Sequence, residues 1–173
     1  VTVSKKYIRE QVQSAINNPS EETGVKTKTL NLWCDSSSVW LPESYIVKNT
    51  RKIDLGEFAD SECYIGVDLA ATSDLTAVSY LIVKDEKYYF KTDYYLPESA
   101  LKEKIDRETY KYWKQQGLLK ITEGNVTDYD YITNDLMKAS EYLNIRAIGY
   151  DKYNATQWAI TATELGLPLE EYP

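Results

Sequence analysis

The stretch CYIGVDLAATSDLTAV, residues 63–78, decides how this chain is read. An apolar strand ends in a carboxylate at Asp68, a short turn follows, and a second strand leads away. A carboxylate on the end of a buried strand is costly unless something positive meets it, usually a metal ion or a donor cluster. The chain repeats the arrangement in IRAIGYD, residues 145–151, where a strand again delivers an aspartate, Asp151. In each case a glycine, Gly66 or Gly149, stands two residues before the carboxylate. Side chains alternate faces along a strand, so each glycine lies on its carboxylate's face and clears space beside it. Two strands that each present an aspartate over a cleared patch point to a divalent-metal site.

Around these two strands the pattern is regular. Strands are predicted over 63–69, 75–84 and 87–96, with a tight Asp85-Glu86 turn between the last two. The third alternates Tyr88, Phe90, Thr92, Tyr94 and Leu96 on one face against Tyr89, Lys91, Asp93 and Tyr95 on the other. A helix is predicted over 98–116, with Leu101, Ile105, Tyr112 and Trp113 inward and Gly117 as its stop. Residues 118–122 form a short strand or extended piece. A second helix spans 129–143 with Ile132, Leu136, Ala139 and Leu143 in phase. After the strand 145–151, a helix starts at Asn154, where Asn154 and Gln157 have capping-box spacing. Gly166 ends it, and Leu167-Pro168-Leu169 opens another extended piece. A three-stranded antiparallel meander followed by right-handed α/β crossovers gives an α/β fold. Its order is that of the ribonuclease H-like mixed sheet: meander plus parallel strands, with flanking helices.

The first 62 residues read differently. Residues 6–17 place Ile8, Val12, Ala15 and Ile16 at helical spacing, and Asn17-Asn18-Pro19 stops the helix. Residues 20–29 are polar, a loop or a short second helix. NLWCDSSSVWLPESYIVK, residues 31–48, sets Trp33 and Trp40 around a Ser-rich turn and then a Pro-led helical turn, an aromatic-anchored connector. Residues 54–62 lead as a loop into the main domain. The expected division is 1–62, helix and connector, and 63–173, the sheet domain.

Composition excludes much else. With no histidine, Ser-His-Asp and Cys-His catalysis and the usual zinc sites are ruled out. Cys34 and Cys63 form no CxxC and are expected as packed thiols in a reduced, cytoplasmic setting. No apolar run reaches membrane-spanning length and no signal peptide is visible. The chain opens on Val1 and its only methionine is Met137, so a piece of a larger protein is expected. The net charge of −7 argues against a protein that coats nucleic acid, but not against an enzyme that grips DNA locally. Carboxylates massed at a metal site lower the net charge themselves.

At these residues the chain resembles a family. GVDLAATSDLTAV with its meander, then IGYDKYNATQWA, is similar to the nuclease domain of the large terminase subunit of tailed bacteriophages. NLWCDSSSVWLPES resembles the connector that follows the packaging ATPase in those proteins, so the resemblance spans roughly residues 30–173. It implies a metal-dependent endonuclease that cuts concatemeric double-stranded DNA during packaging, in the host cytoplasm. Asp68 matches the family's first catalytic aspartate, Asp151 its second acidic position, and Asp74 a further acid near the metals. The implied cofactor is a pair of Mg²⁺ or Mn²⁺ ions, and the implied partners are DNA, the portal and the small terminase subunit, with no membrane. No Walker A motif occurs, so the ATPase motor is not in this sequence. The family's third catalytic acid follows the helix that starts at Asn154, on an element expected past Pro173.

Each reading has a rival. Asp68 could cap a turn, Asp151 could serve the following helix N-terminus, and Ser73-Asp74 also makes a good turn. Lys104, Arg107, Lys111 and Lys114 fall on one helical stripe that could track a DNA backbone, or could be solvated lysines among Glu103 and Asp106. Rival functions are an actin/Hsp70-like ATPase fragment, although no second phosphate loop is present, and a non-catalytic docking domain of the same fold. Within the nuclease reading, a transposase or junction resolvase shares the fold.

Overall fold

The structure is a computed structural model that describes residues 3–34, 41, 43–103, 107–153 and 155–172. The chain divides into two compact units, Val1–Lys52 and Ile53–Pro173.

In the first unit, Ser4 caps helix α1 (Lys5–Asn17) by accepting the Tyr7 N–H at 3.2 Å. The chain then winds through a 3₁₀ turn at Pro19–Glu21, a single α turn α2 (Glu22–Gly24) and a π turn at Val25–Thr29. Val12, Ala15 and Val25 face one another with Tyr45 of helix α3 (Glu43–Asn49). Trp33 is fully exposed rather than anchored within this unit, and Trp40 and the Ser-rich turn lie outside the described residues.

The second unit is a six-stranded sheet ordered β4-β3-β2-β1-β5-β6. Strand β1 (Glu62–Asp68) pairs antiparallel with β2 (Thr76–Lys84), which pairs antiparallel with β3 (Lys87–Pro97). On the other side β1 pairs parallel with β5 (Asn144–Asp151), and β5 with β6 (Leu169–Tyr172). The short β4 (Leu119–Thr122) adds parallel to the outer edge of β3. This is the expected meander with parallel strands, each expected strand shifted by a residue at most. The segment from Ile53 belongs with the sheet, because Phe58 in its 3₁₀ turn (Leu55–Phe58) is buried in the main core.

One sheet face is covered by α6 (Tyr129–Ser140) and α7 (Thr156–Glu164). Ile132, Leu136, Ala139 and Leu143 are all buried, against Ile65, Val67, Val78, Tyr80 and Ile82 from the strands. Ala155, Ala159 and Ala162 let α7 come close, as small residues allow, and Trp158 is buried among them. The helix expected over 98–116 is described as α4 (Glu98–Glu103) and α5 (Arg107–Gln115), with Ile105 outside the described residues. In α5 the inward pair is Tyr110 and Trp113, ring centroids 5.0 Å apart, while Tyr112 is exposed; residues three apart share a helix face and residues one apart do not. These helices pack on Leu96 and Leu119, on the opposite sheet face from α6 and α7.

Gly117 and Gly166 sit at φ +71° and +89°. After each, the next residue's N–H reaches back to close the helix end (Leu118 to Trp113 O, Leu167 to Ala162 O), a Schellman motif that only a residue at ease in the left-handed region completes cheaply. The Asp85-Glu86 turn takes φ of 51° and 59°, the type I′ geometry that hairpin twist favours and that costs side-chain-bearing residues. Glu86→Gly is therefore expected to stabilise the protein by about 0.5–1 kcal/mol, read as a higher midpoint in urea unfolding with unchanged slope. A lower midpoint would mean that Glu86 makes a compensating contact.

Candidate metal centre

The parallel register of β1 and β5 builds the site. Gly66 pairs with Gly149 and Val67 with Tyr150, so the next residues, Asp68 and Asp151, emerge side by side at the same end of the sheet. Adjacent strands are about 4.8 Å apart, and both aspartates share the face their glycines occupy. Asp68, Asp151, Gly66 and Gly149 all line one open cleft of about 520 Å³, with Ala77, Ser79 and Tyr172 completing it. The floor is made of small residues because the register continues as Gly149, Gly66, Ser79 and Thr92 across four strands. A Cβ placed on Gly66 would meet nothing within 4 Å, so no neighbouring protein atom requires glycine there. The room belongs to the cleft.

The two carboxylates differ in their local duties. Asp151 Oδ1 accepts the Tyr153 N–H at 2.8 Å, which ties the strand end into the turn before α7 and fixes the carboxylate's direction. Among the described residues Asp68 accepts no hydrogen bond and faces no cation. A turn-capping role for Asp68 thus has no contact to support it; the turn after β1 is held instead by Thr76, whose hydroxyl joins both the Ala70 N–H and the Ala70 carbonyl. Asp74 stands exposed in that turn and does not line the cleft, and no cluster of three possible metal ligands forms among the described residues. The expected capping box is not what starts α7: Ala155 is its N-cap, without a side-chain hydrogen bond, and Asn154 lies outside the described residues.

Two all-oxygen donors on a face free of steric crowding fit a hard divalent cation, and nothing in the lining would suit a soft metal. Of the expected basic stripe, Arg107 and Lys111 both pair with Glu108 (3.7 and 2.8 Å), Lys114 is exposed, and Lys104 lies outside the described residues.

The sequence reading missed a charged network on the other sheet face. Lys120 of β4 reaches Asp93 at 3.1 Å and Asp135 at 2.6 Å, Asp135 accepts the Tyr95 hydroxyl, and Lys91 pairs with Asp93. Burial pulls the Lys120 pKa down, but the hydrogen bonds and charges of Asp135 and Asp93 outweigh it and hold it above the ordinary lysine value. This network ties β3 and β4 to α6 on the face away from the aspartates.

Comparison with known proteins fits this geometry. The family model "Terminase large subunit, endonuclease domain" matches residues 1–172. This chain belongs to that family. It is 27% identical to the large terminase subunit of Enterobacteria phage HK97 over 180 residues, covering 98% of this chain and 34% of that protein. It is 24% identical to protein YmfN of Escherichia coli K12 over 168 residues, covering 90% of this chain and 37% of that one. The crystal structure of the HK97 large terminase superposes with a TM-score of 0.62 at 26% identity, covering 98% of this chain and 36% of the other. The chain thus spans about a third of the length of the curated relatives it matches. The terminase resemblance and the fold class read from the sequence are both borne out.

Proposed function

We propose that this chain is the catalytic module of a genome-packaging terminase, a metal-dependent endonuclease that cuts concatemeric double-stranded phage DNA. The observation that carries the reading is the pair of neighbouring carboxylates over a glycine floor, one of them without a partner among the described residues, in a chain of the terminase endonuclease family. Asp68 and Asp151 would hold two divalent ions, Mg²⁺ or Mn²⁺. When bound, such ions activate a water and stabilise the leaving oxygen of a phosphodiester. The protein's own contribution is placement. Gly66 and Gly149 let a phosphate approach the carboxylates closely, and the Tyr153 N–H holds Asp151 in one direction. The portal, the small terminase subunit and a site of action in the host cytoplasm belong to this proposal as the setting of the whole polypeptide.

The test is nicking of supercoiled plasmid, expected with Mg²⁺ or Mn²⁺, abolished by EDTA, and showing little sequence preference. Gly66→Val separates this reading from a docking domain of the same fold. A valine suits a strand and its Cβ meets nothing within 4 Å here, so the melting temperature should stay or rise. Its side chain fills the cleft floor, and nicking should fall by about tenfold or more. Unchanged nicking would take the phosphate away from this cleft.

A further inference from the structure

The cleft that holds the aspartates does not end at β2. It abuts a second cavity of about 390 Å³ on the same sheet face, lined by Leu75, Thr92, Tyr94, Trp113, Leu118 and Leu119. The two meet at one cross-strand pair: Ser79 lines the first, Thr92 the second, and their hydroxyls hydrogen-bond at 2.9 Å. In the adjoining row, Asp68 pairs with Ala77 and Ala77 with Tyr94. Tyr94 therefore stands two strand spacings, about 10 Å, from Asp68. Two neighbouring hollows on one sheet face thus hold a pair of carboxylates in one and an apolar, aromatic lining beneath α5 in the other.

We propose that this pocket receives an unstacked base of the DNA strand being cut, next to the scissile phosphate. The inference rests on the nuclease reading and adds how the substrate lies. With divalent ions on the carboxylates, as the nuclease reading requires, a ligand that joins the two hollows is anionic at one and flat and apolar at the other, about 10 Å away. A nucleotide strand has that character, with its phosphate at the metal ligands and a neighbouring base beyond. Among the described residues no lysine, arginine, aspartate or glutamate lines the pocket, so it suits a neutral ring and not a phosphate. Tyr94 and Trp113 supply faces for stacking, which accepts any base because every base has a π-face. The Thr92 hydroxyl is engaged by Ser79, which leaves the rings of Tyr94 and Trp113 as the contact faces, so the pocket reads shape in preference to sequence.

Photo-cross-linking tests this without needing turnover. Duplex oligonucleotides carrying 5-iododeoxyuridine at successive positions of one strand are bound to the protein with Ca²⁺ and irradiated, and the linked peptides are mapped. The expected result is linkage to Tyr94 or Trp113 from one or two adjacent positions, with at least fivefold less pocket linkage in Tyr94→Leu. In nicking assays Tyr94→Leu should be slower by about tenfold, the scale of losing one stacked base. Linkage confined to the other exposed aromatics of this face, Tyr64, Tyr88, Phe90 and Tyr172, would overturn the inference, as would no linkage at all. Metal-dependent nicking without pocket linkage leaves the nuclease reading standing and removes only the pocket. Pocket linkage in a protein that never nicks would keep the pocket and sink the nuclease.

Discussion

Asp68→Asn and Asp151→Asn are each expected to abolish metal-dependent nicking, by at least a thousandfold, while the fold stays intact. Each substitution keeps the side chain's shape and removes the charge that makes it a ligand for a hard cation. With two carboxylates brought together in the cleft among the described residues, losing one leaves the remaining ligand unable to fix an ion in place. Stability should move the other way for Asp68→Asn. Two like charges on adjacent strands, about 4.8 Å apart, repel in water by about 1 kcal/mol, so without metal the variant should melt at the same temperature or about 2–4 °C higher. Asp151→Asn keeps an oxygen to accept the Tyr153 N–H, so its turn should survive. Paired nicking assays and melting curves, each with and without Mn²⁺, check both halves. If the doubly substituted protein still nicks, the assigned site is wrong; if Asp68→Asn melts far lower, Asp68 is a structural residue.

The aspartate pair was legible because strand periodicity is strict. Once 63–69 and 145–151 read as buried strands, a parallel crossover puts their ends together, and one residue of register would move both carboxylates to the helix-covered face. The inward residues of α6 were equally legible from their 3.6 period. What failed to show was anything fixed by contacts between distant elements. Lys91 and Asp93 lie between Tyr89 and Tyr95 on one strand face and, as charges, suggest solvent, yet Asp135 arrives from α6 and Lys120 from β4 to cover them. Nothing local marks such a meeting. In α5, Tyr110 and Tyr112 both flank Trp113, and one continuous phase carried over from residues 98–105 selects the wrong tyrosine. The aromatic pocket was invisible for the same reason, since Leu75, Tyr94 and Trp113 come from three separate elements.

The largest expected loss of stability lies beneath the site, at Trp158. Its side chain is buried, its ring stands edge-on to Tyr150 at 5.9 Å, and its Nε1–H donates to Thr133 Oγ1 at 3.0 Å. One residue therefore joins α7 to α6 and to the strand position immediately before Asp151. Trp158→Ala should cost about 3–5 kcal/mol, a cavity-creating truncation in the core, against a total stability of about 5–15 kcal/mol for a protein of this kind. The melting temperature should fall by about 10 °C or more. Trp158→Phe keeps most of the ring and gives up the indole donor; Thr133 still donates its hydroxyl to the Tyr129 carbonyl, so the loss should be only about 1 kcal/mol. The two variants also separate support from chemistry. Well below its melting temperature, Trp158→Ala should nick more slowly, because the end of β5 loses the packing that aims Asp151, while Trp158→Phe should nick at nearly the normal rate. Urea unfolding followed by far-ultraviolet circular dichroism gives the stabilities, and plasmid nicking at saturating Mn²⁺ gives the rates. A Trp158→Ala protein that loses little stability would show that α7 packs on the sheet without this anchor; one that is destabilised but nicks at full rate would show that Asp151 is held by its turn alone.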